Sequence, residues 1–152
     1  MANTYSQLSI QVVFAVKRRE NIIVQPWRDD LHKYISGIIK AEGAKPLAAG
    51  GWMDHVHIFF GLPVTARICD LVGKVKANSS RWINDNRLVA GRFEWQSGYA
   101  AFSYAKSQRD SVIRYIMEQE RHHGGESFKE EYLNLLKEFD IAYDEKYLFE
   151  FF

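Results

Sequence analysis

The spacing of apolar residues along the chain predicts the order of its first strands and helices. Alternate residues are apolar through much of residues 5–16, which is typical of a strand with one buried face. Apolar residues follow helical spacing over residues 27–42 and again over 66–84, so we predict a helix in each. The small residues of 44–51 predict a short strand, and the aromatic segment 93–105 predicts another.

Two further helices are predicted after the last strand. Ser107 is a suitable N-cap for a helix that runs to His123, and Gly124 and Gly125 should end it. A final helix is predicted over residues 128–139. It leads into an acidic, aromatic tail whose apolar residues indicate docking rather than disorder.

The order of these elements predicts the fold class. With a strand starting at His55, the chain reads strand, helix, strand, strand, helix, strand, helix, which is the order of a ferredoxin-like α+β sandwich. We expect an antiparallel sheet with helices packed on one face, plus the C-terminal helices. At 152 residues and 47% hydrophobic content, residues 1–152 should form one domain with one core.

Two histidines on the central predicted strand are the first candidates for chemistry. Side chains alternate faces on a strand, so His55 and His57 point one way while Val56 and Ile58 point the other. Two imidazoles about 7 Å apart along a strand can converge on one metal ion but leave most of its coordination sphere open. The plainer interpretation is that both imidazoles are simply hydrogen-bonded or half exposed.

A tyrosine and a glutamine on the third predicted helix are the second pair of candidates. Tyr115 and Gln119 are four residues apart, which places the phenol and the amide on one helix face. This pairing indicates a nucleophile beside a metal ligand, although an amphipathic helix with a half-buried tyrosine has the same pattern. His122 follows on the same stripe and could be a further ligand or a contact to the substrate.

Composition limits where the protein works. The N-terminus has no charged run followed by an apolar stretch, and no segment approaches the roughly 18 consecutive apolar residues of a membrane span. We therefore expect a cytoplasmic protein without a membrane partner. The single cysteine, Cys69, excludes an internal disulfide, and we expect it to be a packed small hydrophobic residue.

Charge is distributed unevenly along the chain. Residues 1–125 contain 17 basic and 11 acidic side chains, a net +6, whereas residues 126–152 contain 3 and 8, a net −5. A basic body suits a phosphate backbone. Candidate DNA contacts are Lys74, Lys76, Arg81 and Arg87, for each of which an ordinary solvated surface charge is the alternative.

Four blocks of sequence carry a resemblance to a known family. They are Asp54–His57 with Gly61–Pro63, Lys76–Trp82, Trp95–Ser103 and Tyr115–His123. With these blocks the chain resembles the small single-tyrosine transposases of the IS200/IS605 type, a branch of the HUH nucleases, in which U stands for a hydrophobic residue.

The resemblance implies a function and a set of site residues. It implies cleavage and rejoining of single-stranded DNA at mobile-element ends, with Tyr115 forming a 5′-phosphotyrosine link and hairpin DNA as the recognised form. A divalent ion, Mg²⁺ or Mn²⁺, would be held by His55, His57 and Gln119. The resemblance also implies a homodimer, in which the tyrosine helix could serve its own histidines or those of its partner.

Two alternatives from other classes stay open on the sequence alone. A His-x-His pair also serves metal enzymes that act on small molecules. A noncatalytic or domesticated protein of the same fold would bind hairpin DNA without cutting it.

Overall fold

The computed structural model describes residues 3–122 and 126–144, which contain four strands and five α-helices. These elements are β1 (Ser9–Ala15), α1 (Trp27–Ala41), β2 (Lys45–Gly51), β3 (His55–Gly61), α2 (Ile68–Asp85), β4 (Ala100–Tyr104), α3 (Arg109–Met117), α4 (Gln119–His122) and α5 (Phe128–Glu138). Two short 3-10 helices, Lys17–Arg19 and Lys106–Gln108, precede α1 and α3.

The four strands form one antiparallel sheet in the order β2-β3-β1-β4. This strand order, with α1 joining β1 to β2 and α2 joining β3 to β4, is that of a ferredoxin-like α+β sandwich, as predicted. The histidine strand β3 is central. Its His57 pairs with Val13 of β1, and His55 pairs with Ala15, which fixes both histidines on the same face.

One face of the sheet is covered by α1 and α2. Val56, Ile58 and Phe60 of β3 point to this side and are fully buried in the main hydrophobic core. Both helices contribute the apolar stripes that their spacing predicts. The buried residues of these stripes are Leu31, Ile35, Ile38 and Ile39 of α1 and Leu71, Val72, Val75 and Ile83 of α2.

The opposite face is covered by the C-terminal helices. Val112 and Ile116 of α3 pack on Ala48 and Phe59 of the sheet. Leu135 of α5 belongs to a second buried cluster with residues of β1 and β4. Because His55 and His57 lie on this face, the C-terminal helices enclose them.

The third predicted helix differs from the structure at both ends. Arg109 begins α3, and the Gln108 side chain, rather than that of Ser107, accepts a hydrogen bond from the Ala105 backbone N–H at 2.8 Å. At its other end α3 stops at Met117, because Glu118 has φ −103° and ψ 21°. The predicted stop at Gly124 and Gly125 lies outside the described residues.

Some smaller expectations also change. The strand predicted over 93–105 shortens to β4, preceded by an isolated bridge between Val16 and Trp95. Cys69 is exposed, so its predicted packing is wrong: it lies in the first turn of α2, where Leu71 and Val72 face the core instead. Residues 141–144 have no regular secondary structure, and the rest of the predicted docking tail lies outside the described residues. Among the described helices none is long and apolar enough to cross a membrane.

Candidate active site

The site is built on the two histidines of β3, whose side chains are completely buried. Their ring centroids are 5.1 Å apart and the rings are nearly perpendicular, at 74°. This arrangement follows from strand alternation, which sends both imidazoles to the face that α3, α4 and α5 cover. Each imidazole therefore depends on protein groups for its hydrogen bonds.

His55 contacts polar groups of Asp54, Gln119 and Glu131 and the ring of Phe128. Its Nδ1 is 2.7 Å from Asp54 Oδ1, and its Nε2 is 3.0 Å from Gln119 Oε1 and 3.2 Å from Glu131 Oε1. The ring stacks on Phe128 of α5 with centroids 4.0 Å apart. Burial by itself lowers the pKa of His55, but the hydrogen bonds to Asp54 and Glu131 and their negative charges raise it to about 9.

His57 is held from both sides of its ring. Its Nε2 is 3.2 Å from Glu131 Oε1, and its Nδ1 is 2.9 Å from the amide nitrogen of Gln11. Gln11 is itself buried on β1 and accepts a hydrogen bond of 2.6 Å from the Tyr104 hydroxyl. These contacts fix the orientation of the His57 imidazole through Nδ1, on the side of the ring away from Glu131.

Tyr115 of α3 and Gln119 of α4 extend their side chains to Glu131, beside the two histidines. The Tyr115 hydroxyl donates to Glu131 Oε2, and its ring meets the His57 ring at right angles with centroids 5.7 Å apart. The Gln119 amide nitrogen donates to the same Oε2 at 2.9 Å. Burial and then the charge of Glu131 raise the pKa of the Tyr115 phenol above its ordinary value.

The structure thus brings together His55, His57, Tyr115 and Gln119 within a single chain. The helix break after Met117 separates Tyr115 from Gln119, so the two do not share one continuous helix. Their side chains nevertheless converge on one carboxylate. The side chain of His122, the remaining candidate on this segment, lies outside the described part of the structure.

Glu131 is the residue that the sequence analysis missed. It lies on α5, is only 1% exposed, and contacts all four predicted site residues. A signal existed in the sequence, because an acidic residue stands on the apolar stripe formed by Phe128, Leu135 and Leu136. That signal has a meaning only once it is known that this stripe docks against the histidines.

The donor atoms of this cluster suit a metal ion. One ligand atom each from His55, His57 and Glu131 lie within 4.8 Å of one another. Imidazole nitrogens together with amide and carboxylate oxygens are donors that Mn²⁺ and related divalent ions accept, and oxygen donors favour Mg²⁺ as well. Asp54 supports His55 from the far side of its ring, as carboxylates commonly do for histidine ligands.

A cleft of about 430 Å³ between α3 and α5 opens beside the phenol. Its walls include Tyr104, Ser111, Tyr115, Glu126, Glu131 and Glu138. The side formed by α5 is acidic, in keeping with the negative charge of the C-terminal part of the chain.

The four basic candidates lie away from this cleft. Lys74, Lys76 and Arg81 are on α2, which covers the face of the sheet opposite the histidines, and Arg87 follows that helix. Lys74, Arg81 and Arg87 are exposed. The Lys76 ammonium donates to the carbonyls of Gln96 and Gly98 at 2.8 and 2.6 Å, and burial lowers its pKa to about 8.

Comparisons with known proteins point to one family. A family model described as IS200-like transposase matches residues 4–119. A crystal structure of a candidate transposase from Deinococcus radiodurans R1 is similar over 78% of this chain and 95% of its own, with 23% identity and a TM-score of 0.63. A REP-associated tyrosine transposase bound to a REP hairpin is similar over 82% of this chain and 73% of its own, with 12% identity and a TM-score of 0.60. Among curated proteins none matches significantly.

Proposed function

Because the chain belongs to the family of IS200-like transposases, we propose that it cleaves and rejoins single-stranded DNA at mobile-element ends through a covalent bond to Tyr115. The observation that carries the proposal is the convergence of the Tyr115 hydroxyl with His55, His57 and Gln119 in one buried cluster. A phenol is a poor nucleophile at neutral pH, but it forms a phosphodiester that conserves the energy of the DNA bond for rejoining.

The metal in this proposal is Mg²⁺ or Mn²⁺, held by His55, His57 and Gln119. The ion would supply Lewis acidity toward an oxygen of the scissile phosphate. Asp54 orients His55, and Gln11 orients His57, so both imidazoles keep a fixed direction.

The chemical step is a transesterification. The Tyr115 oxygen forms a bond to phosphorus, and the bond from phosphorus to the 3′ oxygen breaks. The phenol proton leaves toward Glu131 Oε2, to which the hydroxyl already donates, and the released 3′ oxygen takes a proton from solvent to become the 3′-OH. The reverse reaction with another 3′-OH rejoins the strand, and no water is consumed.

The proposal extends to the partners and the setting. We propose that residues 1–152 act as one domain in the cytoplasm and that the protein binds hairpin DNA, since the structurally similar REP-associated tyrosine transposase is bound to a REP hairpin. Lys74, Lys76, Arg81 and Arg87 are the proposed backbone contacts. We also propose a homodimer in which each site is complete within one chain, because Gln119 is 3.0 Å from His55 of the same chain.

The test is a covalent-adduct assay. Labelled single-stranded element ends are incubated with the protein and MnCl₂, and we expect a slower protein–DNA species on a denaturing gel. Tyr115→Phe should abolish that species, whereas Tyr34→Phe should preserve it, because Tyr34 stacks on Trp82 on the other side of the sheet. Hairpin binding without any adduct would favour the noncatalytic alternative.

A mixing experiment tests the arrangement within the dimer. Tyr115→Phe protein and His57→Ala protein are combined and assayed together. If each site takes its tyrosine and its histidines from the same chain, the mixture forms no adduct. Restored adduct formation would mean that the tyrosine serves the partner's histidines, and a monomer by light scattering would remove the dimer from the proposal.

A further inference from the structure

We propose that Glu131 of α5 is itself a ligand of the divalent ion, so that the ion joins the C-terminal helix to the histidine strand. This inference rests on the proposed function, since it concerns the same ion. It adds a ligand from a helix that lies after the matched residues 4–119.

The first support is the spacing of the donor atoms. Glu131 Oε1 is 3.2 Å from Nε2 of both His55 and His57. Adjacent ligands of an octahedral ion bound at about 2.1 Å are separated by about 3 Å, the diagonal of that bond length. Gln119 Oε1, at 3.0 Å from His55 Nε2, meets the same condition. One carboxylate oxygen therefore stands at ligand spacing from both imidazoles at once.

The second support is charge. Glu131 is 1% exposed, and Asp54 on the other side of His55 is 7% exposed. Two carboxylates thus contact one buried imidazole. Buried carboxylates are normally paired or bound to a metal, because loss of hydration is costly for an isolated charge. A divalent cation between His55 and Glu131 would offset both negative charges.

The third support is that the two carboxylate oxygens of Glu131 contact different partners. Oε1 faces the imidazoles, whereas Oε2 accepts hydrogen bonds from Tyr115 and from the Gln119 amide nitrogen. Gln119 can therefore offer its Oε1 to the ion while its nitrogen remains bonded to Glu131. As a ligand, Glu131 would fix the distance between the phenol and the ion through a single side chain.

The docking of α5 follows from this arrangement. Phe128 stacks on His55, and Glu131 lies one turn further along the same helix. An ion bound to β3 and to Glu131 cross-links the central strand with α5. Ion binding should therefore stabilise the packing of this helix against the sheet.

Isothermal titration with MnCl₂ tests the ligand directly. We expect Glu131→Gln to weaken Mn²⁺ binding at least tenfold and Glu131→Ala to weaken it further, because the first retains one oxygen and the second none. Glu130→Gln is the matched control, since it removes the same charge from an exposed neighbour on the same helix. Circular dichroism establishes that each variant is folded.

Unchanged or tighter Mn²⁺ binding in the folded Glu131 variants would overturn the inference. The adduct assay on the same samples separates this failure from that of the proposed function. A Tyr115-dependent adduct with no effect of Glu131 on affinity leaves the function standing without this ligand. If Mn²⁺ affinity depends on Glu131 but the wild type forms no adduct, the result supports Glu131 as a metal ligand and rejects the proposed DNA cleavage.

A measurement on the wild type decides the question if the variants do not fold. Anomalous scattering from crystals grown with MnCl₂ locates the ion relative to Glu131 Oε1. A separation of about 2.1 Å supports the inference. A separation beyond about 3 Å, the spacing of atoms that do not coordinate, overturns it.

Discussion

At the scale of single residues, the sequence revealed the groups that lie on regular elements. His55 and His57 could be placed on one face because strand alternation does not depend on the rest of the fold. Glu131 could not be placed, since a single acid on a helix acquires its role only from what the helix docks against. Asp54 is an intermediate case: it stands next to His55 in the sequence, but only the structure shows its contact with Nδ1.

Asp54→Asn tests how much this contact contributes to metal binding. A carboxylate that accepts a hydrogen bond from Nδ1–H would leave Nε2 of His55 for a metal ion. An amide in its place carries no charge, so we expect Mn²⁺ affinity to fall roughly 10- to 100-fold, the usual cost of losing such a partner. Calorimetry measures the change, with Asp85→Asn at the exposed end of α2 as the control. If Asp54→Asn and Asp85→Asn bind Mn²⁺ with equal affinity, Asp54 does not contribute to metal binding.

At the scale of elements, periodicity located the helices and strands but not their interruptions. The predicted helix at 27–42 is found as α1, Trp27–Ala41, and the apolar positions of α2 face the core as expected. The helix predicted over 107–123 contains neither glycine nor proline, so its spacing gives no sign of the break at Glu118. The break matters because it sets the direction of Gln119 separately from that of Tyr115.

The approach of α3 to β2 provides a prediction at this scale. A methyl group on Gly50 would collide with the backbone carbonyl of Ile116, the residue after Tyr115. Since a backbone atom cannot rotate away, Gly50→Ala should push α3 outward and cost about 1–3 kcal/mol of unfolding free energy. It should also reduce adduct formation, because the phenol moves with the helix.

Gly73→Ala in α2 is the matched control for this substitution. Its added methyl group has no atom within 4 Å, so we expect a gain of up to about 1 kcal/mol from the helical preference of alanine. Urea denaturation measures both variants. A Gly50→Ala protein as stable as Gly73→Ala, with full adduct formation, would show that the contact between α3 and β2 does not position Tyr115.

At the scale of the whole molecule, the basic candidates for DNA binding on α2 and the proposed catalytic groups lie on different sides of the sheet. Residues 1–125 carry a net +6, and the exposed Lys74 and Arg81 of α2 lie opposite the histidines. Helix α5, which belongs to the acidic C-terminal part, covers the histidine face instead. A hairpin held by α2 would therefore have to send a single strand around the sheet to reach Tyr115. This geometry could not be read from the sequence, which shows the basic positions but not the layer on which they lie.

Reversal of charge on α2 tests whether this layer binds DNA. Lys74→Glu and Arg81→Glu each remove a cation that would replace a counterion on the phosphate backbone. We expect weaker hairpin binding and a plot of log K against log salt that flattens by about one unit for each lost contact. Lys137→Glu on α5 makes the same charge change on the opposite layer and should leave the slope as it is, because that layer is already acidic. If the α2 variants and Lys137→Glu shift the curve alike, the hairpin is attracted by net charge alone, and the proposed contacts on α2 must be abandoned.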